Sequence, residues 1–223
     1  MPDAGGTLDQ DVLTAASPWG VPVRIVPETG STNDDLLALG EAGAPEGTIL
    51  FALLQTSGRG QFQRPWSSAQ GLGLWFSLLL RVQIDDGVIP SLSAFPAVAI
   101  VKTLESLGIS DPGIKPPNDV LCGGRKVAGI LVETRTGKDP FAVIGIGLNV
   151  NHAPEDFPEE LRDRATSLSM ITESQSRWDP TAVAAALLPE LGAAVELMRR
   201  SPEKLLAAWS GRLLPAHAGK SEG

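Results

Sequence analysis

Apolar and polar positions divide the chain into short runs with two distinct periodicities. Val23-Arg24-Ile25-Val26 reads as a strand, and Ser31 as the cap of a helix through about Gly40. Asp34 lies three residues after that cap, near the positive end of the helix dipole, and Gly40 and Gly43 supply the stop. Thr48 to Gln55 and Leu72 to Arg81 are aliphatic and aromatic runs of strand length, joined by a polar loop that contains Gly58, Gly60 and Pro65. Ala97, Val101, Leu104 and Leu107 recur at helical spacing, which predicts a helix over Ala94 to Leu107, ended by Gly108 and followed by short strands. Val120-Leu121-Cys122 turns at Gly123-Gly124 into Lys126 to Glu133, a hairpin pattern, and Phe141 to Val150 is a further buried strand. Two helices close the pattern, Pro180 to Arg199 and Pro202 to Trp209, each with proline at a tolerated first position.

Hairpin-linked strands with helices inserted between groups, rather than strict alternation, predict an α+β domain with a mixed, mostly antiparallel central sheet flanked by helices. Residues 1–20, rich in Gly, Ala, Asp and Pro, read as a flexible lead-in with a short helix around Leu8 to Ala16. Residues 21–210 form the main domain, and 211–223 a short polar tail.

Composition narrows the setting. A chain of 223 residues with 43% hydrophobic content can bury a full core. Its single cysteine, Cys122, rules out an internal disulfide or a cysteine-based zinc cluster, which fits a reducing compartment, the cytoplasm. No apolar run is long enough to predict a membrane span. The 18 Lys and Arg against 26 Asp and Glu leave a net charge of −8, which opposes a nucleic-acid backbone.

Four stretches carry candidate chemistry. In Gln55-Thr56-Ser57-Gly58-Arg59-Gly60 the glycines let backbone N–H groups curl around an anion, with Arg59 and Arg64 adding charge, although the same pattern also makes an exposed turn. Lys126 opens a strand beside Gly129, which suits an activated acyl group or, equally, a solvated hairpin end. Gly145 to Asn151 interrupts a buried strand with glycines, and Asn149 can read a purine edge or satisfy a turn. Ser31-Thr32-Asn33 offers hydroxyls and an amide at a helix start, either for a ligand or for capping. His152 and His217 sit in no nucleophile-base arrangement and read as loop or surface residues.

In this order, Ser31-Thr32-Asn33, Gln55-Thr56, Gly58-Arg59-Gly60, Arg64, Trp66, Lys115, Pro117-Asn118-Asp119, Lys126, Gly129 to Glu133 and Gly145 to Asn151 resemble the biotin protein ligases. The resemblance implies the class II synthetase-like catalytic fold of biotin and lipoate ligases. It also implies a two-step reaction, in which biotin and ATP, with Mg2+, form biotinoyl-5′-AMP before a lysine of a biotin carboxyl carrier protein takes the acyl group. It assigns Lys126 and Asp119 to catalysis, and Ser31, Thr32, Asn33, Gln55, Gly58, Arg59 and Gly129 to biotin. Arg64, Trp66, Lys126 and Asn149 go to the nucleotide. It further admits a homodimer paired through sheet edges; no DNA-reading helix-turn-helix fits residues 1–20, so no nucleic-acid partner is expected.

The chain departs from that pattern at three places. Gln61 stands where the family usually has a second arginine, and Gln63 where it has a small residue; Pro116 replaces a tryptophan; and the family's small C-terminal SH3-like barrel has no counterpart after Trp209. Alternatives therefore include a lipoyl or octanoyl transferase, or a relative that binds biotin or its adenylate without transferring it.

Overall fold

The computed structural model describes residues 7–172 and 177–215. In chain order its elements are α1 (Gln10–Ala16), β1 (Arg24–Thr29), α2 (Thr32–Glu41), β2 (Ile49–Gln55), β3 (Gly73–Arg81) and α3 (Ile89–Ser106). There follow β4 (Gly113–Lys115), β5 (Asp119–Cys122), β6 (Arg125–Arg135), β7 (Phe141–Asn149), α4 (Leu168–Thr172), α5 (Pro180–Arg200) and α6 (Pro202–Ser210). The seven strands form one sheet in the order β1-β2-β3-β7-β6-β5-β4, with β1 parallel to β2 and every other pair antiparallel. This is the mixed, mostly antiparallel α+β sheet that the hydrophobic pattern predicts.

Strand alternation gives the sheet two unequal faces. In β3, Leu74, Phe76, Leu78 and Leu80 enter the main core, and in β7 Ala142, Ile144, Ile146 and Leu148 do the same. That core is shared with α3 and α5, and Phe51 of β2 stacks on its partner Phe76 with ring centroids 4.5 Å apart. α5 is long and apolar enough to cross a membrane, but it is spent here, packed against α1, α3 and α6. On the opposite face, Leu36 and Leu37 of α2 pack with Leu50, Leu79, Phe141 and Val143. α2 covers only part of that face, and the remainder carries Trp75, Ser77, Gly129, Gly145 and Gly147 at alternating positions.

Several local expectations change. Gly40 does not stop α2, which runs to Glu41. A β-carbon at Gly40 would collide with the Phe141 ring, 2.6 Å from its Cζ, and lie 2.8 Å from Leu79 Cδ1, so the glycine lets helix and sheet approach. Ser31 occupies the N-cap position without a side-chain capping bond. Instead Gln55 Oε1 accepts the Thr32 backbone N–H at 2.9 Å. α3 begins at Ile89, earlier than Ala94, with Pro90 in its first turn.

The lead-in is not flexible from residue 7 onward. Leu13 is fully buried against the main core, the Asp9 N–H donates to Thr181 Oγ1 at 3.1 Å, and the Val23 N–H donates to Thr14 Oγ1 at 3.1 Å. Residues 1–6 lie outside the described residues. In the tail, the Ile114 N–H donates to Arg212 O at 2.7 Å and the Leu214 N–H to Ile114 O at 2.9 Å, so residues 212–214 run along β4. The rest of the tail, including His217, is also outside the described residues.

Docking of α1 through one leucine makes a measurable claim. Leu13→Ala is expected to lower the unfolding free energy by about 3 kcal/mol, the usual cost of a buried leucine and the cavity it leaves. Urea denaturation checks this; a change within about 0.5 kcal/mol would mean that α1 contributes no packing.

Candidate active site

The uncovered part of the α2-side face is shaped by glycine. A β-carbon at Gly129 would lie 2.7 Å from Trp66 Cζ3 and 3.0 Å from the end of Lys126, and one at Gly147 would lie 2.5 Å from Trp66 Cε2. The neighbouring glycines of β6 and β7, paired in register, thus form a shelf for the Trp66 indole. The room expected beside Gly129 for a ligand is taken here by Trp66 and the Lys126 side chain. Trp75 meets Trp66 edge-on, with centroids 6.1 Å apart.

Lys126 reaches this shelf because β6 is irregular. Val120 pairs with Ala128 and Leu121 with Lys126, so Val127 has no opposite residue. Val127 and Ala128 consequently both enter the main core, which consecutive residues of a regular strand cannot do. The extra residue rotates Lys126 onto the face of Gly129. There Nζ lies 2.5 Å from Asp119 Oδ1 and 5.0 Å from the Trp66 ring centroid. The Lys126 backbone is fixed as well: its N–H donates to Arg164 O at 2.7 Å and its carbonyl accepts from the Thr166 N–H at 2.9 Å.

A second group lies where α2 begins. Thr32 Oγ1 is 3.2 Å from Gln55 Oε1 and 2.7 Å from Ser77 Oγ, Ser77 donates to Asn33 Oδ1 at 2.6 Å, and Gln55 Nε2 donates to Ser68 Oγ at 3.1 Å. Ser31, Thr32 and Asn33 are all buried. An open cleft of about 680 Å³ adjoins this group, lined among others by Gln55, Gly58, Arg59 and Trp66. Trp66 is therefore common to the cleft and to the Lys126 cluster, and its buried Nε1–H has no acceptor among the described residues.

Arg59 forms a two-pronged pair with Asp34, both contacts 2.6 Å, and a further contact to Glu133 at 3.0 Å. These bonds hold the Asp34 carboxyl below its usual range and push the guanidinium further up. Arg64 is not gathered into the site; its guanidinium stands 5.9 Å from the ring of Phe62, an exposed aromatic with φ of 57°. Asn149 is buried, with its amide donating to Thr166 O at 3.0 Å. Of the expected residues, then, Ser31, Thr32, Asn33, Gln55, Gly58, Arg59, Trp66, Asp119, Lys126 and Gly129 converge, Asn149 is tied to the Lys126 backbone through Thr166, and the Arg64 guanidinium stands apart.

Sequence reasoning left Ser68, Ser77, Asp34 and Glu133 unassigned. Ser77 had a visible signal, as the single polar residue between Gly73 and Leu80 of β3. Cys122 is buried, and burial first, then the Asp111 charge, push its thiol up to about 11, which suits a core residue.

His152 is not a surface residue. It is 1% exposed, stacked on Phe157 at 4.7 Å and edge-on to Trp75 at 5.8 Å. Burial pushes it down to about 4, so it is neutral in the folded protein, whereas the unfolded chain protonates it below its ordinary 6.5. The unfolded state therefore binds more protons between these limits, and the stabilisation, present above about pH 6.5, is lost as pH falls toward 4. Between pH 7 and 4.5 the unfolding free energy should drop by about 2–3 kcal/mol more in the parent than in His152→Phe. Parallel pH profiles in urea denaturation would contradict this.

With this geometry in view, similarity to known proteins becomes informative. Residues 26–151, more than half of the chain, match the model of the biotin/lipoate A/B protein ligase family. The bifunctional ligase/repressor BirA of Bacillus subtilis is 45% identical over 141 residues, covering 62% of this chain and 43% of that protein. The biotin--[acetyl-CoA-carboxylase] ligase of Mycobacterium tuberculosis is 34% identical over 227 residues, covering 93% of this chain and 76% of its own length. Among solved structures, the biotin protein ligase from Aquifex aeolicus in complex with biotin and ATP superposes with a TM-score of 0.74 at 31% identity, covering 86% of this chain and 78% of that one. The chain thus spans less than half of the Bacillus relative but most of the mycobacterial one. It belongs to the biotin/lipoate A/B protein ligase family.

Proposed function

We propose that this chain is the catalytic domain, residues 21–210, of a cytoplasmic biotin protein ligase that makes biotinoyl-5′-AMP from biotin and ATP and transfers biotin to a carrier lysine. The observation that carries the reading is the Lys126 ammonium, held 2.5 Å from Asp119 and over the Trp66 ring beside the Gly129–Gly147 shelf.

In the first step a biotin carboxylate oxygen bonds to the α-phosphorus of ATP as the bond to pyrophosphate breaks. Anions must be brought together, so a fixed cation contributes most where negative charge accumulates. Lys126 is that cation, positioned before substrate arrives by its backbone bonds to residues 164 and 166. The orphan Nε1–H of Trp66 offers a further donor to a ligand oxygen. In the second step the carrier lysine's amine bonds to the acyl carbon, AMP leaves with the electron pair, and the amine gives up a proton. Asp119, oriented by Lys126, is the group to direct that amine. Thr32, Gln55 and Gly58 would line the biotin head pocket, with Arg64 and Asn149 on the nucleotide side.

Among the described residues no three His, Cys, Asp or Glu side chains converge. They build no resident metal cage, so Mg2+ is proposed to enter as part of the MgATP substrate. The carrier is proposed to be a biotin carboxyl carrier protein or domain, and pairing through a sheet edge remains the proposed route to a homodimer.

Mass spectrometry of the protein incubated with biotin and MgATP tests the reading: biotinoyl-5′-AMP should form, and an added carrier domain should then gain biotin. Absence of adenylate from a folded sample would sink it, and adenylate without carrier labelling would reduce it to a binding protein. Lys126→Met should slow adenylate formation on the order of 10²–10³-fold, as expected for removing a preorganised charge contact. Gln61 lies in the turn next to the strained Phe62 and Gln63, where it brings no charge to a phosphate. Gln61→Arg should slow adenylate dissociation roughly tenfold, the worth of one charge-assisted bond. An unchanged rate in a chase experiment would show that this position does not reach the phosphate.

A further inference from the structure

Arg59 and Asn33 were both expected to touch ligand, yet both are already committed to Glu133. The Asn33 Nδ2–H donates to Glu133 Oε2 at 2.8 Å, and Arg59 Nη2 donates to the same carboxylate at 3.0 and 3.2 Å. Arg59 is largely buried, with its other prong occupied by Asp34. Three of its five N–H donors are taken by two carboxylates, which together outweigh its single positive charge, so that charge is spent chiefly on holding the loop.

The direction of the hydrogen bonds beyond Glu133 follows from valence. A carboxylate only accepts, so Asn33 must turn its NH₂ toward Glu133 and its carbonyl toward Ser77. Ser77 then has to donate its single hydrogen to Asn33 Oδ1, at 2.6 Å. The 2.7 Å contact between Thr32 Oγ1 and Ser77 Oγ can therefore be made only with Thr32 as donor, and this shorter contact takes the Thr32 hydrogen in preference to Gln55 Oε1 at 3.2 Å. With its hydrogen spent, the Thr32 hydroxyl has only lone pairs left to offer, and Gln55 Oε1, which takes the Thr32 backbone N–H at 2.9 Å, also presents lone-pair capacity. Gly145 is required by the same chain, because a β-carbon there would collide with the Asn33 amide.

We infer that Glu133 is a positioning residue that straps the Gly58–Arg59 loop to the start of α2 and polarises the Asn33–Ser77–Thr32 chain, so that the pocket selects a ligand bearing N–H donors. Resting on the biotin reading, this identifies the ureido N–H groups as the feature selected and explains how an acyl chain without such donors, such as a lipoyl group, is refused. The preference is thus set from the β6 end of the chain, two side chains away from Thr32.

Two variants separate strap from polarity. Glu133→Gln can keep an oxygen at the Oε2 position for Asn33 while losing the ion pair, whereas Glu133→Leu removes both. Binding of biotin and of its two ureido N-methyl analogues is measured by calorimetry, with circular dichroism and thermal melts to establish folding. The parent and Glu133→Gln should favour biotin over at least one analogue by about tenfold or more, the worth of one unpaired buried polar group. Folded Glu133→Leu should lose that ratio. Limited trypsin digestion of ligand-free protein after Arg59, which Gly60 follows, should accelerate several-fold in both variants. Retention of the parent's selectivity by Glu133→Leu overturns the polarised chain, and unchanged digestion overturns the strap. Failure of the parent itself to bind biotin would instead refute the ligase reading and the N–H selectivity with it, while the digestion result would still decide the strap.

Discussion

One constraint governs this structure: the two-residue repeat of β3, β6 and β7 gives alternate side chains to opposite faces. The helix-side face is filled by leucine, isoleucine and phenylalanine that leave no polar atom to satisfy. Since those positions secure the fold, the alternate ones are released from packing, and there the chain places Ser77, Gly129, Gly145 and Gly147. The site is the part of the second face that α2 does not reach. Its side-chain geometry then depends on a single irregularity, the unpaired Val127, which carries Lys126 across to the glycine shelf. A regular β6 would turn the ammonium toward the apolar core, where a charge could not stay.

Electrostatics follow from this placement. The site's cations are each matched to acids before any substrate arrives, Lys126 to Asp119 and Arg59 to both Asp34 and Glu133. Pairing reduces the cost of holding charge in half-buried positions and fixes where it points. It also divides the two cations by role. Lys126, with one carboxylate and the face of an indole, retains donors for an incoming anion, whereas the Arg59 charge is matched by two carboxylates. A basic residue next to glycines therefore does not identify an anion ligand until its acidic partners are known.

That difference measures how far the sequence could be read. The long strands were legible because Thr48 to Gln55, Leu72 to Arg81 and Phe141 to Val150 are apolar runs bounded by turn residues, and α5 and α6 because proline marks their starts. Gly40 was misread because its role is a contact with Phe141, 101 positions away in the chain, rather than local backbone geometry. Residues 7–20 looked flexible because their composition is poor in large apolar groups, yet buried Leu13, the packed side chains of Leu8 and Trp19 and two hydrogen bonds from backbone N–H groups dock them. The convergence of Thr32, Gln55, Trp66, Asp119 and Lys126 was expected from resemblance. Their partners were not, because the Arg59 contacts bridge 25 and 74 residues and nothing local to Arg59 encodes them.

Trp66 links the two halves of the site. Its indole occupies the space cleared by Gly129 and Gly147, its face meets Lys126, and its other neighbours line the cleft that begins at Gln55. The glycines are therefore not open space for a ligand but the seat of a side chain that divides the site in two. A ligand reaching from the Thr32–Gln55 pocket to Lys126 must pass along or displace this indole, whose buried N–H lacks an acceptor among the described residues. Leaving a polar group unpaired in a buried position carries a cost that a ligand oxygen would relieve. The same residue that closes the glycine shelf thus favours the arrival of an oxygen-bearing ligand beside Lys126, and coupling between the two halves of the site is expected to run through it.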